Sequence, residues 1–195
     1  MATGKKVIIW TGVLLFLGLI AFQTWTVVEQ DRSGALEQGS EANRAGPSAF
    51  MAGKAGRLPL TPPDELAGLA LTDSITGDEA LIEIAKMHGK GFPLLDGYVA
   101  QYGNDQDQVT VWVGRAKDSI AAQSLLVQMT ERLREGNSPF SHLQQLTVGD
   151  EVVYSLVGLG QQHYYYQVAD KVVWLAVRGG LNPLEVLHQA LKEIN

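Results

Sequence analysis

The chain of 195 residues contains no cysteine. This absence excludes disulfide bridges, thiol catalysis, zinc sites built from paired cysteines, covalent c-type haem attachment and a lipid-modified cysteine. Proteins on either side of a membrane can lack cysteine, so the absence does not locate the protein in the cell.

Positive charge is also scarce. The 15 Lys and Arg residues are outnumbered by 21 Asp and Glu residues, which gives a formal net charge of −6, and no basic cluster is visible. Proteins that bind phosphate backbones gather Lys and Arg on one face. The composition therefore predicts no nucleic-acid partner.

Patterns typical of catalytic and metal sites are missing too. The four histidines are scattered, with no Ser-His-Asp spacing, no paired metal ligands and no carboxylate pair. Gly89-Lys90-Gly91 lacks the spacing and the Ser or Thr of a phosphate-binding loop, and Gly158-Leu159-Gly160 precedes a strand pattern and not a helix. The sequence predicts a protein that is not an enzyme and has no resident cofactor.

One long uncharged apolar run is present, from Val7 to Val28, between Lys5 and Lys6 on one side and Glu29 on the other. As a helix, a run of this length crosses a hydrocarbon core of roughly 30 Å. Lysines on the short side favour a cytoplasmic amino terminus. We predict a single-pass anchor in the cell membrane at residues 1–28, with the rest of the chain on the extracytoplasmic side.

A cleaved signal peptide is the alternative, and it requires small residues at the last and third-last positions before the cut. Leu19 and Ala21 fit this poorly, whereas Ser33 and Ala35 fit better but lie far downstream. A pilin-type amino terminus would carry a Glu near the start of the helix, and the first acid after Lys6 is Glu29. The retained anchor is the favoured interpretation.

Residues 29–59 are rich in Gly, Ala, Ser and charge, which predicts a flexible linker. Phe50 and Met51 leave open a short docking segment within it. Residues 60–195 then form one extracytoplasmic domain of about 135 residues, which is enough for a single core.

Three helices are predicted in this domain. The first begins at Thr76-Gly77-Asp78-Glu79 and ends at His88, the second begins at Asp118 and ends near Gly136, and the third begins at Asn182-Pro183. A strand or short helix is expected around residues 66–71.

Strand patterns surround these helices, at residues 96–102, 108–113, 143–147, 152–157, 162–168 and 171–177. Short turns between consecutive strands favour antiparallel neighbours. We predict an α+β fold with one antiparallel sheet of about six or seven strands packed with three helices.

A two-residue turn at Ala169-Asp170 would fix the pairing of the last two strands. It places Tyr166 opposite Val173, Tyr164 opposite Leu175, Tyr165 opposite Trp174, and His163 opposite Ala176. The more apolar face, with Tyr164, Tyr166, Val173, Leu175 and Val177, should meet the helices. The other face holds His163, Tyr165, Gln167 and Trp174.

This second face supplies the candidate binding residues His163, Tyr165 and Trp174, since Tyr and Trp are frequent where proteins contact partners or ligands. The alternative is that helices cover both faces and these aromatic residues simply pack. His88 is a further candidate ligand, although it also fits a histidine that interacts with the carboxyl end of its own helix.

The order helix, two strands, helix, four strands, helix, with its closing segment KVVWLAVRGGLNPLEVLHQAL, resembles PsbP-like domains of photosynthetic and bacterial extracytoplasmic proteins. It is similar, too, to several bacterial membrane-tethered domains. The resemblance covers roughly residues 60–195 and is one of topology and not of motifs. It implies a non-enzymatic accessory or binding role outside the cytoplasm.

The predicted function is accordingly that of a membrane-anchored accessory or interaction domain with a protein partner in a membrane complex. A domain that binds a small molecule or lipid between sheet and helices is the alternative; an apolar cavity would favour it and a filled core would oppose it. A variant of that alternative is haem held by His88 or His163 together with a methionine.

Overall fold

A computed structural model describes residues 57–88, 93–136 and 138–194. They form one antiparallel sheet of eight strands and three helices. The strands are β1 (Glu65–Leu66), β2 (Leu69–Thr76), β3 (Asp96–Gly103), β4 (Gln108–Arg115), β5 (Phe140–Val148), β6 (Glu151–Gly158), β7 (Gln161–Val168) and β8 (Lys171–Arg178). The helices are α1 (Gly77–His88), α2 (Ser119–Arg134) and α3 (Pro183–Glu193).

The α+β class, the single antiparallel sheet and the three helices are confirmed. The strand number of six or seven was too low, because the segment around residues 66–71 forms a tight hairpin of β1 and β2. Ala67 and Gly68 supply the turn with φ values of 53° and 76°. Such positive values are accessible to glycine without steric cost and are uncommon in other residues.

The strands lie in the order β1-β2-β3-β4-β8-β7-β6-β5. The last strand of the chain is therefore inserted between β4 and β7, and it joins the first half of the sheet to the second. The predicted pairing of β7 with β8 is confirmed at all four positions, including Tyr165 opposite Trp174.

Helices cover both faces of the sheet. The face with Tyr164, Tyr166, Val173, Leu175 and Val177 packs against α3, mainly through Val186, Leu187 and Ala190. The other face packs against α1 and α2, through residues such as Ile84, Leu125 and Met129. The expectation that the more apolar face meets helices is correct, and the opposite face is covered as well.

Residues 57–60, here called the strap, are fastened to one end of the sheet. The guanidinium of Arg115 donates to the carbonyl of Leu58 at 2.8 Å, and the carboxylate of Asp96 accepts a hydrogen bond of 2.7 Å from the amide of Leu60. Arg57 pairs with Asp170 at 3.0 Å. The described end of the predicted linker is thus bound to the domain.

The predicted anchor at residues 1–28 and the linker as far as residue 56 lie outside the described residues. No helix among the residues that the structure does describe is long and apolar enough to cross a membrane.

Candidate functional site

The predicted candidates His163, Tyr165 and Trp174 lie together on the sheet face beneath α2. Their exposed fractions are 3%, 0% and 9%. Tyr165 and Trp174 face each other across β7 and β8, and their rings stack with centroids 5.2 Å apart and planes 10° apart. These side chains are packed between sheet and helix and do not form an accessible contact surface.

His163 is fixed by two hydrogen bonds. Its Nδ1 accepts from the indole Nε1 of Trp174 at 3.1 Å, which leaves the proton on Nε2, and Nε2 donates to the carbonyl of Gly158 at 3.0 Å. Phe140 meets the imidazole edge-on at a centroid distance of 5.0 Å. Burial lowers the pKa of His163, so the neutral tautomer is the stable form.

Tyr165 belongs to a second chain of hydrogen bonds. Thr130 donates from Oγ1 to the carbonyl of Leu126 at 2.8 Å, so the Tyr165 hydroxyl donates to Thr130 Oγ1 at 2.9 Å. Burial raises the pKa of Tyr165 to about 12. The phenol is neutral at physiological pH and holds α2 against β7.

The hydrogen bonds of His163 and the close packing around it oppose the haem interpretation. Both ring nitrogens of His163 are engaged, so neither is free to ligate iron. Between α1, α2 and the sheet, the gap over Trp112 and Trp174 measures about 20 Å³, about the size of one water molecule. His88 is the last residue of α1, and its side chain lies outside the described part of the chain.

A larger cavity, about 280 Å³ in volume, opens at the sheet end opposite the strap, between the carboxyl end of α2 and strands β5 and β6. We call it the β5 pocket. Its apolar lining consists of Leu133, Phe140, Leu143 and Leu156, and its polar lining of Arg134, Ser141, His142, Gln145 and Tyr154.

A β-bulge shapes this pocket. The pairing of β5 with β6 shifts register between Ser141 and Gln144, and His142 adopts a φ of 56°. Bulges re-aim side chains and are frequent next to functional sites. Ser141 Oγ lies 2.9 Å from Nδ1 of the turned-out His142.

Arg134 places a positive charge at the rim of the pocket, and no carboxylate among the described residues opposes it there. Arg134 makes no hydrogen bond or ion pair with another described residue, and the lining residues include neither Asp nor Glu. In a chain with a net charge of −6, this is a local environment suited to an anion. The sequence signal was weak, because Ser141, His142, Gln144 and Gln145 interrupt any apolar period.

Strand β5 is also an edge of the sheet, since β6 is its only neighbour among the described strands. Its nine residues, FSHLQQLTV, include no charged side chain and no proline. Natural edge strands are commonly protected by lysines, prolines or bulges. Here the bulge protects the start of β5 and leaves residues 144–148 open to pairing.

Comparisons with protein-family models, with curated proteins and with solved structures found no match to this chain.

Proposed function

We propose that this protein is a single-pass, membrane-anchored extracytoplasmic accessory domain that binds a protein partner and performs no catalysis. The observation that carries the proposal is the open edge of β5. The apolar run at residues 7–28 supplies the membrane attachment, and the role agrees with what the topological resemblance to PsbP-like domains implies.

The two edges of the sheet differ in a way that favours partner binding at β5. The opposite edge begins with the two-residue strand β1, and the neighbouring β2 carries Asp73 and its own register shift. Strand β5 has an uncharged stretch from Gln144 to Val148, and no other described strand pairs with the backbone groups on its outer side. An extended segment of a partner can pair with such an edge through main-chain hydrogen bonds.

The strap and the β5 pocket lie at opposite ends of the sheet. The strap binds beside Arg115 and Asp170, at one end of β4 and β8, whereas the β5 pocket lies beside Gly158 and Phe140 at the other end. Strand β6 has eight residues, so its two ends are about 24 Å apart.

The Ser141-His142 contact does not make a hydrolase site. The pocket offers no carboxylate to orient the imidazole, and the two residues are adjacent on a bulge. A nucleophile, its base and an orienting third group are needed for that chemistry. Binding is the function that the polar lining supports.

Affinity isolation of the intact protein from its own membrane tests the proposal. Recovery of the partner is compared between the variants Gln144→Lys and Ser74→Lys. These two exposed residues occupy the two ends of one cross-strand row, on β5 and β2. Lysine on an edge strand opposes further pairing. We expect Gln144→Lys to abolish stoichiometric recovery of the partner and Ser74→Lys to preserve it.

Equal recovery with both variants would remove β5 as the contact. Membrane anchoring has its own test, because fractionation that finds the native full-length protein free in the cytosol would refute it.

The alternative function is small-ligand binding. The gap of about 20 Å³ over Trp112 and Trp174 is too small to hold a ligand between helices and sheet at that place, whereas the β5 pocket favours a ligand at the surface.

A further inference from the structure

Three aromatic rings form a continuous stack that ends in the β5 pocket. Trp174 stacks on Tyr165, and Tyr165 stacks on Tyr154 with centroids 4.9 Å apart and planes 11° apart. The three residues are cross-strand neighbours on β8, β7 and β6. Tyr154 is the outermost ring, and it is the one of the three that lines the pocket.

The next position in this row belongs to Gln145 on the edge strand β5. Gln145 is exposed and contributes no ring, so the face of Tyr154 turned away from Tyr165 has no aromatic partner in the row. A flat ring placed over Gln145 would extend the stack by one member at the spacing already present. Offset stacking of this kind favours planar aromatic groups over saturated ones of equal size.

The positive charge at the rim of the pocket sets a second requirement for a ligand, which is a negative charge. Arg134 lines the β5 pocket together with Tyr154, so its positive charge lies beside the outermost ring of the aromatic stack. Arg134 is exposed and engages no carboxylate of the described residues. Arginine binds a carboxylate with two parallel hydrogen bonds, and Gln145 and the Tyr154 hydroxyl add donors beside it.

We propose that the β5 pocket binds a small planar aromatic carboxylate, with the ring stacked on Tyr154 and the carboxylate held by Arg134. Leu133, Leu143 and Leu156 surround the ring's edge. This inference goes beyond the proposed partner binding and does not depend on it, since the ligand enters the pocket and leaves the outer edge of residues 144–148 open.

Isothermal titration of the full-length protein in lipid nanodiscs with 2-naphthoate is the test, with empty nanodiscs titrated to correct for partitioning. Two matched ligands separate the two contributions. The neutral 2-naphthamide lacks the charge and should bind at least about tenfold more weakly. The saturated decahydronaphthalene-2-carboxylate lacks the flat ring and should bind about three- to tenfold more weakly.

Arg134→Gln should weaken naphthoate binding at least about tenfold. Arg132→Gln is the matched control, because Arg132 lies in the same last turn of α2 and does not line the pocket. Arg134 is exposed and makes no hydrogen bond or ion pair with another described residue, so a folding defect is not expected in Arg134→Gln. Tyr154→Leu should reduce the preference for naphthoate over its saturated analogue.

Equal affinity of the two arginine variants, equal affinity for naphthoate and naphthamide, or no binding of naphthoate at millimolar concentration would each overturn the proposal. None of these results would bear on partner recovery through β5, so the two proposals fail independently.

Discussion

The indole Nε1 of Trp174 donates a hydrogen bond to Nδ1 of the buried His163 and thereby selects the imidazole tautomer that donates to the Gly158 carbonyl. The pair links β8, β7 and the end of β6. Both side chains were candidates for binding, and the structure gives them a role in stability.

The free energy of unfolding should depend on pH through His163. Burial lowers its pKa in the folded state below the ordinary value of 6.5, so the unfolded chain binds the proton more readily. The stabilisation is complete above pH 6.5 and is lost as the pH falls below that value. Urea unfolding at pH 8, 6 and 5 should show this decline.

Two variants identify the group responsible. His163→Phe should lose this pH-dependent component and cost about 1–3 kcal/mol at pH 8, because the Trp174 indole and the Gly158 carbonyl lose their partner. His188→Gln, at an exposed position on α3, is the control and should retain the decline. An unchanged pH profile in His163→Phe would contradict the assignment.

Thr130 and Tyr165 should show strong coupling in a double-mutant cycle. Thr130→Val leaves the buried Tyr165 hydroxyl without an acceptor and should lower the free energy of unfolding by about 1–3 kcal/mol. Tyr165→Phe leaves Thr130 bonded to Leu126 and should lower it by about 0.5–1.5 kcal/mol. The double variant should lose much less free energy of unfolding than the two single variants lose together. Additive losses in urea unfolding would show that the 2.9 Å contact contributes nothing.

Tyr166→Phe should leave stability unchanged or raise it by about 1 kcal/mol. Its hydroxyl is buried beneath α3 and has no hydrogen-bond partner among the described residues, so removing it relieves a desolvation cost. Tyr102→Phe is the matched control, because the Tyr102 hydroxyl donates to the Pro63 carbonyl and its loss should destabilise. The midpoint temperature of thermal unfolding should fall in Tyr102→Phe and should stay the same or rise in Tyr166→Phe. A clear fall in Tyr166→Phe would refute the expectation.

Asp96→Ala should release the strap. The carboxylate of Asp96 accepts from the Leu60 amide at 2.7 Å, and Arg115 lies 3.8 Å from it. Loss of a hydrogen bond to a charged group should speed amide exchange at Leu60 about tenfold or more. NMR-detected hydrogen exchange measures this, and Asp150→Ala, at an exposed turn position, should leave the rate unchanged.

Local sequence patterns were sufficient for most elements. Asp118 and Asn182 mark the starts of α2 and α3 because their side chains bond the free amides of Ala121 and Leu184. The Ala169-Asp170 turn fixed the pairing of β7 with β8, because a short turn leaves a single register. These features depend on residues close together in the chain.

Features that depend on distant residues were not predictable in the same way. The pairing of β4 with β8, the coverage of both sheet faces by helices, and the β5 bulge all arise from tertiary packing. The strand pattern began at Leu143, and the structure extends β5 back to Phe140 through the left-handed His142. The β5 pocket was missed for this reason.

The insertion of β8 between β4 and β7 has a consequence for biosynthesis. A nascent chain that has emerged only as far as Asp170 can form two small sheets, β1 to β4 and β5 to β7, but has nothing to join them. Each of these sheets would expose an apolar edge strand whose backbone N–H and C=O groups are free to pair with other chains. Ribosome stalling or proteolytic clipping just before β8 should therefore yield an insoluble fragment and not a shortened, folded domain.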